Sequence, residues 1–370
     1  MSHESRSDAY FMAKALELAR IGLETTHPNP RVGCVIVREG AIVGRGAHRR
    51  VGGPHAEIEA LTEAGHEARG ATVYVTLEPC AHVGRTPPCA PALAEAGVAR
   101  VVYAVPDPNP EAAGGSRMLR ESGIQVSQGP LSGSARELNR GFFKRHETGR
   151  PWVTVKLAAS LDGRSALADG RSRWITSPAA RDDVRRLRAR SSAVVTGSGT
   201  ILADDPLLSV RREPGPMAPE IREPLRVVLD SHARCPPDSR VFKPAGESLL
   251  VTLAGSDAMA HERAGIPVAR VAGGASGLAL GEVLALLGQR IVNEVLIEAG
   301  PVLSGAWIRE QLIDECWLYL APRLLGSEAL PLVSLRSPAQ LDPGPEWKIR
   351  DVRQVGDDLR LILRPADWKD

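Results

Sequence analysis

Short apolar runs of strand length alternate with helix-length segments along nearly the whole chain, and the alternation is broken once, by the polar stretch ELNRGFFKRHETGRP at 137–151. Strands alternating with helices predict sheets covered on both faces by helices, an α/β class. Before the break, Asp8 to Gly22 sets Phe11, Met12, Ala15, Leu18 and Ala19 on one helical face, and VGCVIV and AIVGRGA flank Arg38-Glu39-Gly40 as a hairpin. HAEIEALTEAG resumes helical spacing, and TVYVTL, APALAEAG and RVVYAV follow as strand, helix and strand. After the break the strand candidates are WVTVKLAASLDG, AVVTG, RVVLD, LLVTLA, VLIEAG and CWLYLAP. Thr176-Ser177-Pro178 starts a helix, and WKIRDVRQVGDDLRLILRP closes as a hairpin about Gly-Asp-Asp. The break therefore separates two expected domains, 1–148 and 149–370.

Composition narrows the class. A length of 370 residues, 43% apolar and 24% charged, suits two folded domains with cores of their own. With 46 basic and 44 acidic residues the net charge is +2, too small for a general polyanion-binding field, so nucleic acid is an unexpected partner. The opening MSHESRSDAY is polar and no run reaches the roughly 18 apolar residues of a membrane span, so a cytoplasmic protein without a membrane partner is expected. Cys34, Cys80, Cys89, Cys235 and Cys316 are odd in number and scattered, which suits a reducing compartment.

Two of those cysteines carry chemistry. His55 opens a helix, and Cys80 and Cys89 follow a strand, giving one imidazole and two thiolates for zinc with a fourth position open. Zinc lowers the pKa of bound water from about 15.7 towards about 7. Glu57, two residues after His55, is placed to act as general acid/base, taking the proton of water and handing it to a ring nitrogen and a departing amine. With nine histidines in the chain a lone His-x-Glu arises readily by chance, and two cysteines alone could be small buried side chains or half of a structural zinc site. Eight residues separate Cys80 from Cys89 instead of the usual two.

THPNPRVGCVIV, GGPHAEIEAL, VYVTLEPCAHVGRTPPC and DPNP together resemble the deaminase half of the bacterial bifunctional riboflavin-biosynthesis deaminase/reductases. The resemblance implies a cytidine-deaminase-like three-layer domain, zinc on His55, Cys80 and Cys89, Glu57 as proton shuttle, and a pyrimidine substrate bearing a ribosylamino 5-phosphate. It also implies that Asn29, His48, His82 and Arg85 approach the substrate. As residues alone, the histidines could equally be solvated, Asn29 a turn former between two prolines, and Arg85 an ordinary surface charge.

In the second half no GxGxxG follows the first strand, so an ordinary dinucleotide fold is not supported. Glu298-Ala299-Gly300-Pro301 instead ends a strand and enters a helix, a place where free backbone N–H groups meet phosphate. VKLAASLDGR, SRWITSPAARDDV, TILADDPLLSVR, VVLDS and VLIEAGPVLSGA resemble the reductase half of the same family, which implies a dihydrofolate-reductase-like α/β domain. By that resemblance Ala158, Trp174, Thr200, Asp204, Ser231 and Gly300, Pro301, Val302, Leu303, Ser304, Gly305 and Ala306 bind NADPH. Ser172, Arg188, Leu208, Arg211 and Glu298 hold the substrate, while Lys156 and Asp162 lie in the same motif with roles left open. Arginine forks suit a sugar phosphate. Arg188, however, shares a helix with Arg181, Arg185, Arg186 and Arg190, most of which must be a solvated face.

The resemblance covers nearly the whole chain and implies two consecutive reactions. The first is zinc-dependent deamination of 2,5-diamino-6-ribosylamino-4(3H)-pyrimidinone 5-phosphate. The second is NADPH-dependent reduction of the ribosyl group of 5-amino-6-(5-phosphoribosylamino)uracil to ribityl. The competing reading is a nucleic-acid-binding or editing protein that uses the deaminase fold, against which the near-neutral charge counts. The apolar closing strands lead us to expect a homo-oligomer, a homodimer in the simplest case.

Overall fold

The computed structural model describes residues 7–82, 87–210, 222–243, 246–275, 277–337 and 346–366. By its internal contacts the chain divides into two compact units, Met1–Thr148 and Gly149–Asp370.

The first unit runs α1 (Asp8–Ala19), β1 (Gly33–Arg38), β2 (Ala41–Ala47), α2 (Ala56–Ala64), β3 (Thr72–Val75), α3 (Cys89–Glu95), β4 (Arg100–Tyr103), α4 (Gly115–Glu121), β5 (Gln125–Gln128), α5 (Ser132–Leu138) and α6 (Arg140–Thr148). Its five-stranded sheet has the order β2-β1-β3-β4-β5, antiparallel from β2 to β3 and parallel from there on. Successive residues of a strand face opposite sides, and glycines on β1 and β2 let a helix backbone lie directly on each side. A Cβ on Gly33 would sit 2.0 Å from the Ala15 carbonyl oxygen of α1. Gly46, which pairs with Cys34 and so looks to the other face, would meet the Ala56 carbonyl of α2 at 1.9 Å. The sheet is thus the middle of three layers. Its core joins Met12, Ile36, Val73, Val101 and Leu119, all fully buried.

The second unit runs β6 (Trp152–Ser160), β7 (Arg164–Ala166), α7 (Pro178–Arg190), β8 (Ala193–Gly197), α8 (Ser198–Asp204), β9 (Leu225–Leu229), β10 (Ser248–Leu253), α9 (Met259–Arg263), β11 (Val268–Val271), the short pair β12 (Gly273–Gly274) and β13 (Gly277–Leu278), α10 (Leu280–Gln289), β14 (Glu294–Ile297), α11 (Pro301–Arg309), β15 (Glu315–Ala321), β16 (Leu330–Pro331), β17 (Trp347–Val355) and β18 (Asp358–Pro365). Nine strands form one sheet in the order β11-β10-β9-β8-β14-β6-β15-β18-β17. It is parallel from β11 to β15 and ends in the antiparallel hairpin read from the closing residues. The Ser177 hydroxyl caps α7 by accepting from the Ala180 N–H at 3.3 Å, with Pro178 at the first helical position, as the Thr-Ser-Pro run predicts.

The chain leaves β6 for β8, moves outward to β11, and returns to lay β14 between β8 and β6. That reversal opens a crevice at the carboxyl ends of β6, β8 and β14, the position where open α/β sheets take ligands. At the other end of the sheet, buried Arg364 donates to Glu315 Oε2 at 3.0 and 2.9 Å, and the Trp317 indole N–H donates to Glu315 Oε1 at 2.7 Å. A paired and fully hydrogen-bonded buried charge of this kind fixes β18 in register against β15. Among the described residues no helix is long and apolar enough to cross a membrane.

Because Gly46 is the seat of α2, Gly46→Ala is expected to lower the stability of the protein by about 1–3 kcal/mol through overpacking. Chemical denaturation checks this, and an unchanged midpoint would contradict the backbone contact.

Candidate functional site

The seating of α2 on β2 decides where the first unit keeps its polar groups. His55 is the residue immediately before α2, and Glu57 lies in its first turn, buried. Cys80 follows β3, and Cys89 is the first residue of α3, with its backbone N–H 3.4 Å from the Cys80 sulfur. The His55 Nδ1 atom lies 3.2 Å from Cys89 Sγ and 3.5 Å from Cys80 Sγ. All three ligand atoms fall within 4.8 Å of one another. Tetrahedral zinc, with bonds of about 2.3 Å to sulfur and about 2.0–2.1 Å to nitrogen, needs neighbouring ligand atoms at roughly this spacing.

The electrostatics suit a cation. The Cys80 thiol is drawn down to about 4, chiefly by the hydrogen bond from Cys89, while that contact and burial drive the Cys89 thiol up. Protein groups alone thus favour one thiolate of the two, and a dication stabilises the second. The contact with Cys80 also raises His55. Glu57 is pushed up to about 7 by burial first and by the charge of Cys80 second, a value at which it can both take and give a proton.

Around this cluster, His48 is buried with its ring edge-on to His55 at 5.5 Å between centroids, and Asn29 reaches His48 at 3.1 Å. The Nδ1 atom of His82 is buried without a hydrogen-bond partner among the described residues. Arg85 lies outside the described residues. Two groups that sequence reasoning missed stand beside them. Buried Glu78 accepts from the backbone N–H of Ser116 at 3.1 Å and of Asp107 at 3.4 Å, so it ties the loop after β4 to the loop carrying Cys80. Asp107 is itself raised to about 6 by burial. Both stand in runs already singled out, LEPC and DPNP, but the contact joining them spans 29 residues and left no local pattern.

In the second unit several residues expected to bind cofactor or substrate lie on, or shortly after, strands of the large sheet. Ala158 is on β6, Thr200 and Asp204 on α8 after β8, Ser231 after β9, Glu298 after β14, and Gly300 immediately before α11. Within the run from Gly300 to Ala306, Gly300 and Val302 are exposed, whereas Ser304, Gly305 and Ala306 are buried and hold the helix on the protein. No atom of the described residues lies within 4 Å of a Cβ placed on Gly300, which leaves room for a ligand against that helix start. Trp174 is exposed, with the Arg181 guanidinium 4.5 Å from its ring centre, and Arg173 pairs with Asp204 at 3.4 Å. Ser172 is half-buried and Leu208 buried, with a positive φ of 53°. Arg211 lies outside the described residues.

One arginine of the α7 face turns inward. Arg188 grips the Glu298 carboxylate with two nitrogens, Nη2 at 2.9 Å from Oε2, and its Nη1 donates to the Ser209 carbonyl at 3.1 Å. Lys156 Nζ stands 3.9 Å from the same carboxylate. Burial alone would raise the Glu298 carboxyl, but Arg188 and Lys156 outweigh it and keep it below its ordinary value. Lys156 is lowered by burial. Asp162 accepts from the Ser160 hydroxyl and from the backbone N–H of Leu325 and Gly326, at 3.1 and 2.7 Å, so it fixes the loop after β15.

Comparison with known proteins finds a separate family match in each half of the chain. A family profile described as the cytidine and deoxycytidylate deaminase zinc-binding region matches residues 5–105, and one described as the RibD C-terminal domain matches residues 151–361. The chain is 47% identical to the riboflavin biosynthesis protein RibD of Escherichia coli, over 96% of this chain and 99% of that one. It is 45% identical to RibD of Haemophilus influenzae, over 98% of each. Among solved structures, RibD of Acinetobacter baumannii superposes with a TM-score of 0.91 at 43% identity, covering 97% of this chain and 99% of that one. A diaminohydroxyphosphoribosylaminopyrimidine deaminase/5-amino-6-(5-phosphoribosylamino)uracil reductase of Thermotoga maritima gives 0.85 at 32% identity, with the same coverage. The fold is therefore a cytidine-deaminase-like domain followed by a RibD reductase domain, with zinc as the metal of the first and NADPH as the reductant of the second. The chain belongs to the RibD family, the bifunctional deaminase/reductases of riboflavin biosynthesis.

Proposed function

We propose that the unit at 1–148 deaminates 2,5-diamino-6-ribosylamino-4(3H)-pyrimidinone 5-phosphate and that the unit at 149–370 reduces the product, 5-amino-6-(5-phosphoribosylamino)uracil, at its ribosyl group to ribityl. The observation that carries the first half is the convergence of His55 Nδ1, Cys80 Sγ and Cys89 Sγ within 4.8 Å beside a buried Glu57. His55, Cys80 and Cys89 hold zinc. When bound, the metal supplies the positive charge that brings the pKa of water towards neutrality. Glu57 accepts one proton of the attacking water and passes it to the ring nitrogen, then carries the second proton of that water to the departing amine as the C–N bond breaks. Asn29, His82 and Arg85 are substrate-binding residues, whereas His48, expected with them, has its two ring nitrogens engaged by Pro54 and Asn29.

In the second unit Ala158, Trp174, Thr200, Asp204, Ser231 and the start of α11 would hold NADPH, which would supply the hydride. The protein's part is alignment and exclusion of water. Ser172, Arg188, Leu208, Arg211 and Glu298 hold the substrate, and the Arg188–Glu298 pair stiffens the wall between α7 and β14. The protein works in the cytoplasm on small molecules, and the near-zero net charge argues against a nucleic-acid grip.

Two variants separate the halves. Glu57→Gln should keep its zinc and its reductase rate while losing deamination by on the order of 10² to 10⁴-fold. Arg188→Met, which leaves Glu298 buried with a weaker partner, should lose reductase kcat/KM by on the order of 10² or more and leave ammonia release unchanged. Unchanged deamination in the first variant, or unchanged reduction in the second, would remove that residue from the site.

The protein is a homo-oligomer, most simply a dimer. Ile349 and Val352 are exposed by 59% and 54% on β17, the edge strand of the sheet, and an apolar edge of this kind offers a pairing surface. Sedimentation over a range of concentrations is expected to give a mass of at least two chains, and a monomer throughout would dismiss this.

A further inference from the structure

His48 is buried, 3% exposed, in the chain leaving β2, and its backbone N–H is fixed by the Val32 carbonyl at 2.9 Å. Both nitrogens of its ring are already engaged. Nδ1 lies 2.9 Å from the Pro54 carbonyl oxygen, and Nε2 lies 3.1 Å from the Asn29 carboxamide nitrogen. A carbonyl oxygen can only accept, so Nδ1 carries the hydrogen; a neutral ring then has a bare acceptor at Nε2, which takes an N–H of Asn29. No polar atom of this ring is left for a ligand.

The same bond decides how Asn29 points. With its Nδ2 turned to His48, the carboxamide presents Oδ1 at its other end, and that oxygen has no hydrogen-bond partner among the described residues. The loop bearing Asn29 is tied to the same place. The Asn29 N–H donates to the Thr26 carbonyl at 2.7 Å, and the Thr25 hydroxyl donates to the carbonyl of Arg49, next to His48. The other nitrogen of His48 holds the carbonyl of Pro54, the residue before His55.

We infer that His48 is a positioning residue that never touches substrate: as its Nδ1–H tautomer it turns the Asn29 carboxamide so that Oδ1 meets an N–H of the aminopyrimidine, and it anchors Pro54 at the entry to the His55 turn. This rests on the deaminase reading above. An acceptor at Asn29 suits a substrate edge made of amino and ring N–H groups, and a carboxamide flipped the other way would meet that edge with a second donor.

Two substitutions split the roles of the ring, because the amide nitrogen of Asn falls where Nδ1 was and the amide oxygen of Gln can fall where Nε2 was. In the full-length zinc-loaded enzyme, His48→Asn should raise the deaminase KM about tenfold with kcat within about twofold and zinc content unchanged. His48→Gln should restore KM to within about twofold of the parent while lowering kcat or zinc occupancy. On an Asn29→Ala background, His48→Asn should add less than about twofold to KM. The thermal unfolding transition of each variant serves as the control for folding of the first unit. A KM unmoved by His48→Asn, or a full further rise on the Asn29→Ala background, overturns the inference. Two-bond proton–nitrogen correlation spectra of the parent protein, with His48 assigned by its loss in His48→Asn, test the tautomer without any turnover. A protonated Nδ1 and a bare Nε2 are expected, and the reverse pattern overturns the inference even if the substrate is a different aminopyrimidine.

Discussion

A buried carboxyl group must either surrender its charge or be held by cations, and the two units settle this in opposite ways. Among the described residues no lysine or arginine side chain grips Glu57; burial and a neighbouring thiolate push it up to about 7, so its proton is exchangeable near neutral pH. Glu298 is equally deep, but Arg188 clasps it and Lys156 stands 3.9 Å away, which keeps it ionised. The first arrangement suits a group that moves protons. The second suits a fixed, charged wall beside a cofactor whose own chemistry carries the reaction.

Both carboxyl groups sit where they do because of backbone packing some distance away. Gly46 lets α2 lie on β2 with no side chain between them, which brings His55 and Glu57 to the loops carrying the two cysteines. In the second unit the return of β14 between β8 and β6 opens the crevice, and Glu298 is the first residue beyond that strand. The buried Arg364–Glu315 pair and its Trp317 partner hold the closing hairpin on the sheet. The helix α7, which carries Arg188, is tied to β15 and β18 through Asp183, which accepts from the Tyr319 hydroxyl and from Arg360 at 2.8 Å each.

The alternation of strands and helices, the closing hairpin and the capped start of α7 were legible because each has a local cause: apolar period, a turn pair, or a hydroxyl before a proline. β11 was not, being four residues long with an exposed Arg270 and no apolar run to mark it. The metal cluster could be read because histidine, glutamate and a pair of cysteines each bring distinct chemistry to a short span. The partnership of Arg188 with Glu298 could not, since 110 residues separate them and five arginines of similar spacing share the helix. The same holds for His48, whose nitrogens are spoken for by Pro54 and Asn29; only a folded chain reveals that its ring has nothing left to offer a ligand.

The most direct test of the whole account is a two-stage assay on the purified, zinc-loaded protein, in which the diaminopyrimidine nucleotide is supplied alone, ammonia is followed, and NADPH is then added while its absorbance is followed. The account predicts ammonia release without NADPH, then NADPH oxidation matching the ammonia already formed. NADPH oxidation with no prior ammonia, or ammonia with no later oxidation, would contradict the claim that the two units act in that order on one substrate.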